Sequence, residues 1–233
     1  MSQIVTESTS QTGETLQQQV YLCLKQRILN MDYKPGQQLF DTQIADELGF
    51  SRTPVRDAMR QLEHEGLLIS QARQGWRVYS LSIDDIHQIF DIKMAVEGMF
   101  ARRAAKCTDE KLRSALKETM QRMKATAEAG DFDAWMQADT QMHDIFFAMG
   151  PNERATRIVK SLNEQWFRLR IGFMTLHGRM QRSCQEHEPV VDSILAGNED
   201  EAERYMRSHI EHVHGELVNL LVKMVLPFTE GSV

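Results

Sequence analysis

The stretch SRTPVRDAMRQLEHEGLLISQARQGWRV, residues 51–78, decides the N-terminal fold. Its first half reads as one helix. Thr53 is the expected N-cap and Pro54 the first helical position, where a missing N–H breaks no helical bond. Gly66 closes the segment. The second half predicts two short strands around a turn at Gly75, a hairpin. Upstream, TQIADEL predicts a shorter helix with Asp41 as its N-cap and Gly49 at its end, after a turn at Pro35-Gly36. Further upstream, Val20, Leu24 and Ile28 mark another helix. Helix, helix, tight turn, helix and hairpin in about 65 residues describe a winged helix-turn-helix.

The chemistry of that stretch suits DNA. Residues 51–77 carry five arginines (52, 56, 60, 73 and 77) against Asp57, Glu63 and Glu65. Arg52, Thr53 and Arg56 cluster at the start of the second helix, the end that enters the major groove in this motif. Arginine donates two hydrogen bonds to guanine, and threonine reaches a phosphate or a thymine methyl. Arg73, Gln74 and Gly75 form the expected wing tip, along the backbone or in the minor groove. Each arginine alone reads more readily as part of a solvated helix face; the arrangement as a whole reverses that preference in favour of DNA.

The rest of the chain is acidic. The formal charge is −6 overall, which argues against non-specific coating of nucleic acid. Gly and Pro are scarce while Leu, Met, Ala, Glu, Gln and Arg dominate, so a mainly α protein is expected. No apolar run approaches the roughly 18 residues of a membrane span, and residues 1–15 read as a polar, disordered arm. Cys23, Cys107 and Cys184 are far apart and form no CxxC pair, which fits a reducing, cytoplasmic setting. The expected organisation is the arm at 1–15, a winged helix-turn-helix at 16–80, an all-α unit at 81–226 and a tail at 227–233.

The all-α unit predicts six helices, near 82–106, 109–129, 132–148, 153–175, 178–196 and 199–225. In the third, Asp139 and His143 sit one turn apart on the apolar face of Trp135, Met142 and Phe146. His187 shares a face with Val190, Val191 and Ile194, and His209 with Met206, Val213 and Leu217. Glu186 and Glu188 flank His187 but point elsewhere on the wheel. Buried imidazoles and carboxylates need partners. Hydrogen-bonded core pairs satisfy that need, and so does a metal held by one oxygen and three nitrogens. Such a donor set suits Zn²⁺ first, with Ni²⁺ or another first-row ion as alternatives. In the first helix of the unit, Lys93 and Glu97 lie on the apolar face at i,i+4 spacing.

The segment ILNMDYKPGQQLFDTQIADELGFSRTPVRDAMRQLEHEGLL, with RQGWRV after it, resembles the GntR-family DNA-binding domain over residues 17–78. The resemblance implies DNA contacts at Arg52, Thr53, Arg56 and the Gly75 wing tip. Thr42 stands where that family often has Arg or Lys. The chain from 82 to 225 resembles the FCD ligand-binding domain of the FadR subgroup, in a six-helix, VanR-like form. The Asp-x-x-x-His motif falls on Asp139 and His143, EHxxhhxxI gives His187, and A-x6-H-I from Ala202 gives His209. The resemblance implies a divalent metal on those four residues, and it disfavours a fatty acyl-CoA effector. Lys93 occupies a position where the family more often has an effector-reaching Arg, so Lys93, Glu97 and, on the fourth helix, Arg170 are the candidate effector residues.

The expected function is a homodimeric repressor on double-stranded operator DNA, not an enzyme and without a membrane partner. A small organic acid at the metal site would control its DNA affinity. A metal-dependent hydrolase is the main rival, weakened by the lack of a second carboxylate beside the ligands. A regulator with a purely structural metal is the third reading.

Overall fold

The computed structural model describes residues 15–72, 74–174 and 176–225. The expected arm (except Thr15), Arg73 and the tail lie outside the described residues. The chain divides into two compact units after Ser80.

In the first unit, α1 (Leu16–Leu29) starts where the Thr15 hydroxyl accepts from the Gln18 amide. Two short helices follow, α2 (Asp41–Leu48) and α3 (Arg52–His64). Val20, Leu24 and Ile28 of α1, Ile44 of α2, and Val55, Met59 and Leu62 of α3 close one core with Leu67, Trp76 and Val78. The hairpin is β2 (Leu68–Gln71) and β3 (Gly75–Val78), joined by a strand the sequence reading missed, β1 (Gln38–Leu39). The order is β1-β3-β2, antiparallel throughout, with Leu39 opposite Trp76 and Gln71 opposite Gly75. Two residues are too few for an alternation pattern to announce β1. Gly75 is required twice over. Its φ is 77°, and a Cβ there would stand 2.6 Å from the Leu39 carbonyl oxygen.

Two expected caps are corrected. Phe40 occupies the N-cap of α2, because extended backbone runs through β1 until that residue. Asp41 is the first helical residue, and its carboxylate takes Arg52 at 3.3 Å instead. At α3 the N-cap is Ser51 rather than Thr53, so Pro54 is third in the helix. It still falls within the first turn, whose N–H groups have no helical acceptor.

The second unit is α4 (Ile83–Ala104), α5 (Glu110–Ala129), α6 (Phe132–Met149), α7 (Glu153–Met174), α8 (Arg179–Ala196) and α9 (Glu199–Val225). Ser82 and Asp85 make a reciprocal capping box at the start of α4. α4 packs along α9, α5 along α6, and α8 against both α5 and α9. The core between them includes Ile86, Phe90, Met123, Trp135, Met142, Phe146, Val190 and Val213. The chain is therefore mainly α, a winged helix-turn-helix head followed by a six-helix unit, as the sequence predicts.

Candidate DNA-reading surface and metal centre

The head carries an open groove of about 460 Å³ between α3 and the wing, edged by Arg52, Arg56, Arg60, Gln71, Gly75 and Trp76. α3 puts the three arginines on one face because they recur every four residues. The Arg52 and Arg60 side chains are 64% and 59% exposed, and their carboxylate partners Asp41 and Asp57 lie at 3.3 and 3.8 Å. Exposed pairs of this kind are weak, so the guanidiniums are available to an anion. Thr53 is exposed on the first turn of α3 and Arg56 on the next, Thr42 is exposed at the start of α2, and Gln74 is exposed beside Gly75. The sequence reading left Arg60 out of this surface, although its spacing one turn beyond Arg56 was the available signal.

In the second unit, α6, α8 and α9 bring His143, His187 and His209 together, with their ligand nitrogens all within 4.8 Å of one another. His187 and His209 are buried, and the His143 side chain keeps 16% exposure. The Nε2 atoms of His143 and His187 are 3.3 Å apart. Two nitrogens bound to one tetrahedral zinc at about 2.0–2.1 Å would be separated by about 3.3 Å.

Each of the three rings has an oxygen behind it. His187 Nδ1 donates to the Ser183 carbonyl at 2.8 Å. His209 Nδ1 donates to a Glu186 carboxylate oxygen at 2.8 Å. His143 Nδ1 lies 2.9 Å from Glu97 Oε2, but neither atom is aligned for a hydrogen bond, so this contact is electrostatic. At His187 and His209 the acceptor at Nδ1 selects the tautomer whose Nε2 lone pair is free, as a metal ligand must be. Burial, and then His209, holds the His187 imidazole down at about 3, and burial likewise lowers His209. Neutral imidazoles are the ligating form. The residues present thus fit a first-row divalent cation by spacing, tautomer and charge.

Asp139 stands at the edge of the group. One of its carboxylate oxygens is 4.0 Å from His187 Nε2, and the other pairs with the Arg170 guanidinium. Burial works to raise its carboxyl, but the charge of Arg170 and the three imidazoles outweighs it and leaves the group below the usual carboxylate range. Lys93 and Glu97 form a buried ion pair, and Lys93 also donates to the Asn163 side chain. Both Lys93 and Arg170 flank the Trp166 ring, at 5.7 and 5.9 Å from its centroid. Asn163 and Trp166 carried no signal in the sequence beyond their place on a helical face.

Glu186 is corrected. The wheel of α8 alone points it away from His187, but α9 packs on that side and supplies His209 as its partner. Glu188 does turn elsewhere, to Lys124. Carboxylates therefore exist beside the ligands, contrary to the reading that set the hydrolase aside. Both Glu97 and Glu186, however, face Nδ1 atoms and are paired with cations, so neither is placed to take a proton from a water on the Nε2 side.

Residues 88–212 match the FCD domain, and residues 16–78 match the family described as bacterial regulatory proteins, gntR family. The chain belongs to the GntR family of bacterial transcriptional regulators. A probable D-xylose utilization operon transcriptional repressor of Paenarthrobacter nicotinovorans is 31% identical over 181 residues, covering 75% of this chain and 76% of the relative. The repressor RspR of Escherichia coli (strain K12) is 22% identical over 200 residues, 86% of this chain and 88% of the relative. Among solved structures, E. coli McbR/YncC superposes with a TM-score of 0.72 at 17% identity, over 89% of this chain and 99% of that one, which shows the fold. The GntR-family protein described here is a DNA-binding transcriptional regulator, and its relatives are regulators, not enzymes. No helix among the described residues is long and apolar enough to cross a membrane.

Proposed function

We propose that this regulator is a repressor whose operator affinity is set by a small organic acid bound beside a divalent transition metal, zinc first among the ions. The observation that carries the reading is the convergence of one nitrogen from each of three imidazoles within 4.8 Å, the Nε2 atoms of His143 and His187 being 3.3 Å apart, from rings whose Nδ1 atoms all face oxygen. His143, His187 and His209 would hold the ion, with Asp139 as the fourth ligand. The ion would supply a Lewis-acid position to which a carboxylate can bind.

The residues of the chain do the rest. Arg170 keeps 12% side-chain exposure beside Asp139 and is the residue proposed to receive the effector's carboxylate, with the Trp166 ring alongside. Lys93 and Glu97, expected at the effector, are closed off in their buried pair and bear on it through His143. At the head, Arg52, Thr53, Arg56 and the Gln74–Gly75 tip, with Thr42 beside them, would read the operator. A homodimer would place two such heads on a palindromic site.

The test selects operator duplexes with the full-length protein from a randomised pool. Affinity is then measured with zinc-loaded and zinc-depleted protein across a panel of small organic acids. An acid that shifts operator affinity only in the zinc-loaded protein is the expected result. Operator affinity indifferent to every acid, with a melting temperature that falls on zinc removal, would leave the metal a structural role only.

A further inference from the structure

Two of the three imidazoles are backed by the same three-part arrangement, a buried cation, a carboxylate and the ring. On α8 and α9, Arg179 donates to both oxygens of Glu186 at 3.1 and 2.9 Å, and Glu186 accepts from His209 Nδ1. On α4 and α6, Lys93 pairs with Glu97, whose other oxygen faces His143 Nδ1. Arg179 is fully buried and Lys93 nearly so. His187 differs, since its Nδ1 meets only the backbone carbonyl and hydroxyl of Ser183.

We infer that Arg179 and Lys93, neither of which reaches the ligand nitrogens, are positioning residues that set how tightly the three-histidine site holds its ion. The inference rests on the metal reading above and deepens it. A guanidinium fork locks a carboxylate in one plane, which a single-point donor does not do. A locked carboxylate holds one ring tautomer and one ring orientation, so Nε2 stays aimed at the other two imidazoles. Arg179 also lies 3.6 Å from Glu216, seven residues beyond His209 on α9. It therefore meets α9 directly at Glu216 and, through Glu186, at His209, and ties the register of α8 against α9 to the position of His209. Arg182 approaches the same Glu216 at 3.4 Å and carries that grip to the surface. The Lys93 arm is looser, because the Glu97–His143 contact is out of line for a hydrogen bond. The α8–α9 arm should thus dominate.

The experiment compares zinc dissociation constants of the full-length protein, by competition with a chelating indicator, for wild type, Glu186→Gln, Arg179→Lys, Glu97→Gln and His187→Ala. Apo-protein melting is recorded for each, and the imidazole ¹⁵N–¹H spectrum reports the His209 tautomer. Glu186→Gln and Arg179→Lys should each weaken zinc about 10–100-fold, with stoichiometry unchanged and the His209 Nδ1–H signal moved. A variant combining Arg179→Lys with Glu186→Gln should be no weaker than the worse single, since both act along one chain. Glu97→Gln should cost less. Wild-type affinity in Glu186→Gln and Glu97→Gln would overturn the inference even if Arg179→Lys failed to fold, provided His187→Ala has lost the ion. Additive losses that track apo-protein melting would overturn it as well. If His187→Ala binds zinc like wild type, the metal reading itself fails.

Discussion

The groove of the head and the three-histidine centre of the second unit both gather positive or ligating groups, yet they are built on opposite terms. The groove takes its arginines from consecutive turns of one helix, leaves them more than half exposed at Arg52 and Arg60, and pairs them weakly. The centre takes its groups from α4, α6, α7, α8 and α9, buries nearly all of them, and pairs every charge in it. An exposed guanidinium is held only by its own helix and a weak, solvent-screened pair, so it can be changed without disturbing the fold. A buried imidazole or carboxylate is held by partners that suffer when it leaves.

That contrast can be broken most decisively at His187. His187→Ala should abolish stoichiometric zinc binding, read by elemental analysis of purified protein, while operator binding by the head persists. Undiminished zinc content would return the histidines to the role of hydrogen-bonded core residues. The next effect in size belongs to the groove. Arg56→Ala should weaken operator affinity about 10–100-fold, the scale of a lost bidentate base contact of ~1–3 kcal/mol. Arg52→Ala should act in the same direction. Thermal melting should be unchanged for both, because surface substitutions away from buried networks stay within about 0.5 kcal/mol. A melting loss without an affinity loss would remove α3 as the reading helix.

The smallest effect sits between these extremes, at a half-buried histidine whose partner is exposed. His214 Nε2 lies 2.9 Å from His87 Nδ1, and the His214 ring stacks on Phe90. Burial, and then His87, lowers the His214 pKa against the opposing pull of Asp91 and Glu211. The unfolded chain takes this proton near the ordinary value of about 6.5, above the folded value. Folded-state stability is therefore complete above that pH and declines as the pH falls through it. His214→Phe keeps the stack and removes the titration, so its melting temperature should decline less on acidification than that of the wild type. An unchanged pH profile would take His214 out of the account.

Legibility in the sequence followed the range of the interactions. Helix ends in the second unit lie within two residues of those expected, because capping and apolar spacing act over one or two turns. Asp139, His143, His187 and His209 stood out because polar groups on apolar faces break a local rule. Glu186 was misread because a wheel describes one helix and its partner ring comes from another. Arg179 raised no signal at all, since its role depends on what faces α8 across the bundle. The caps at Asp41 and Thr53 were misplaced by one or two residues because β1, a strand of two residues, set where α2 begins.

By itself the sequence determined the order of the helices and the hairpin, the division near residue 80, the arginine-bearing face of α3 and the identity of the candidate ligands. All of these rest on contacts within a few residues along the chain. The tertiary structure decided which oxygen stands behind each imidazole, that Asp139 is shared with Arg170, and that two buried cations hold the carboxylates in place. Glu97 and His143, Glu186 and His209, and Arg170 and Asp139 sit on different helices, and only packing brings them together.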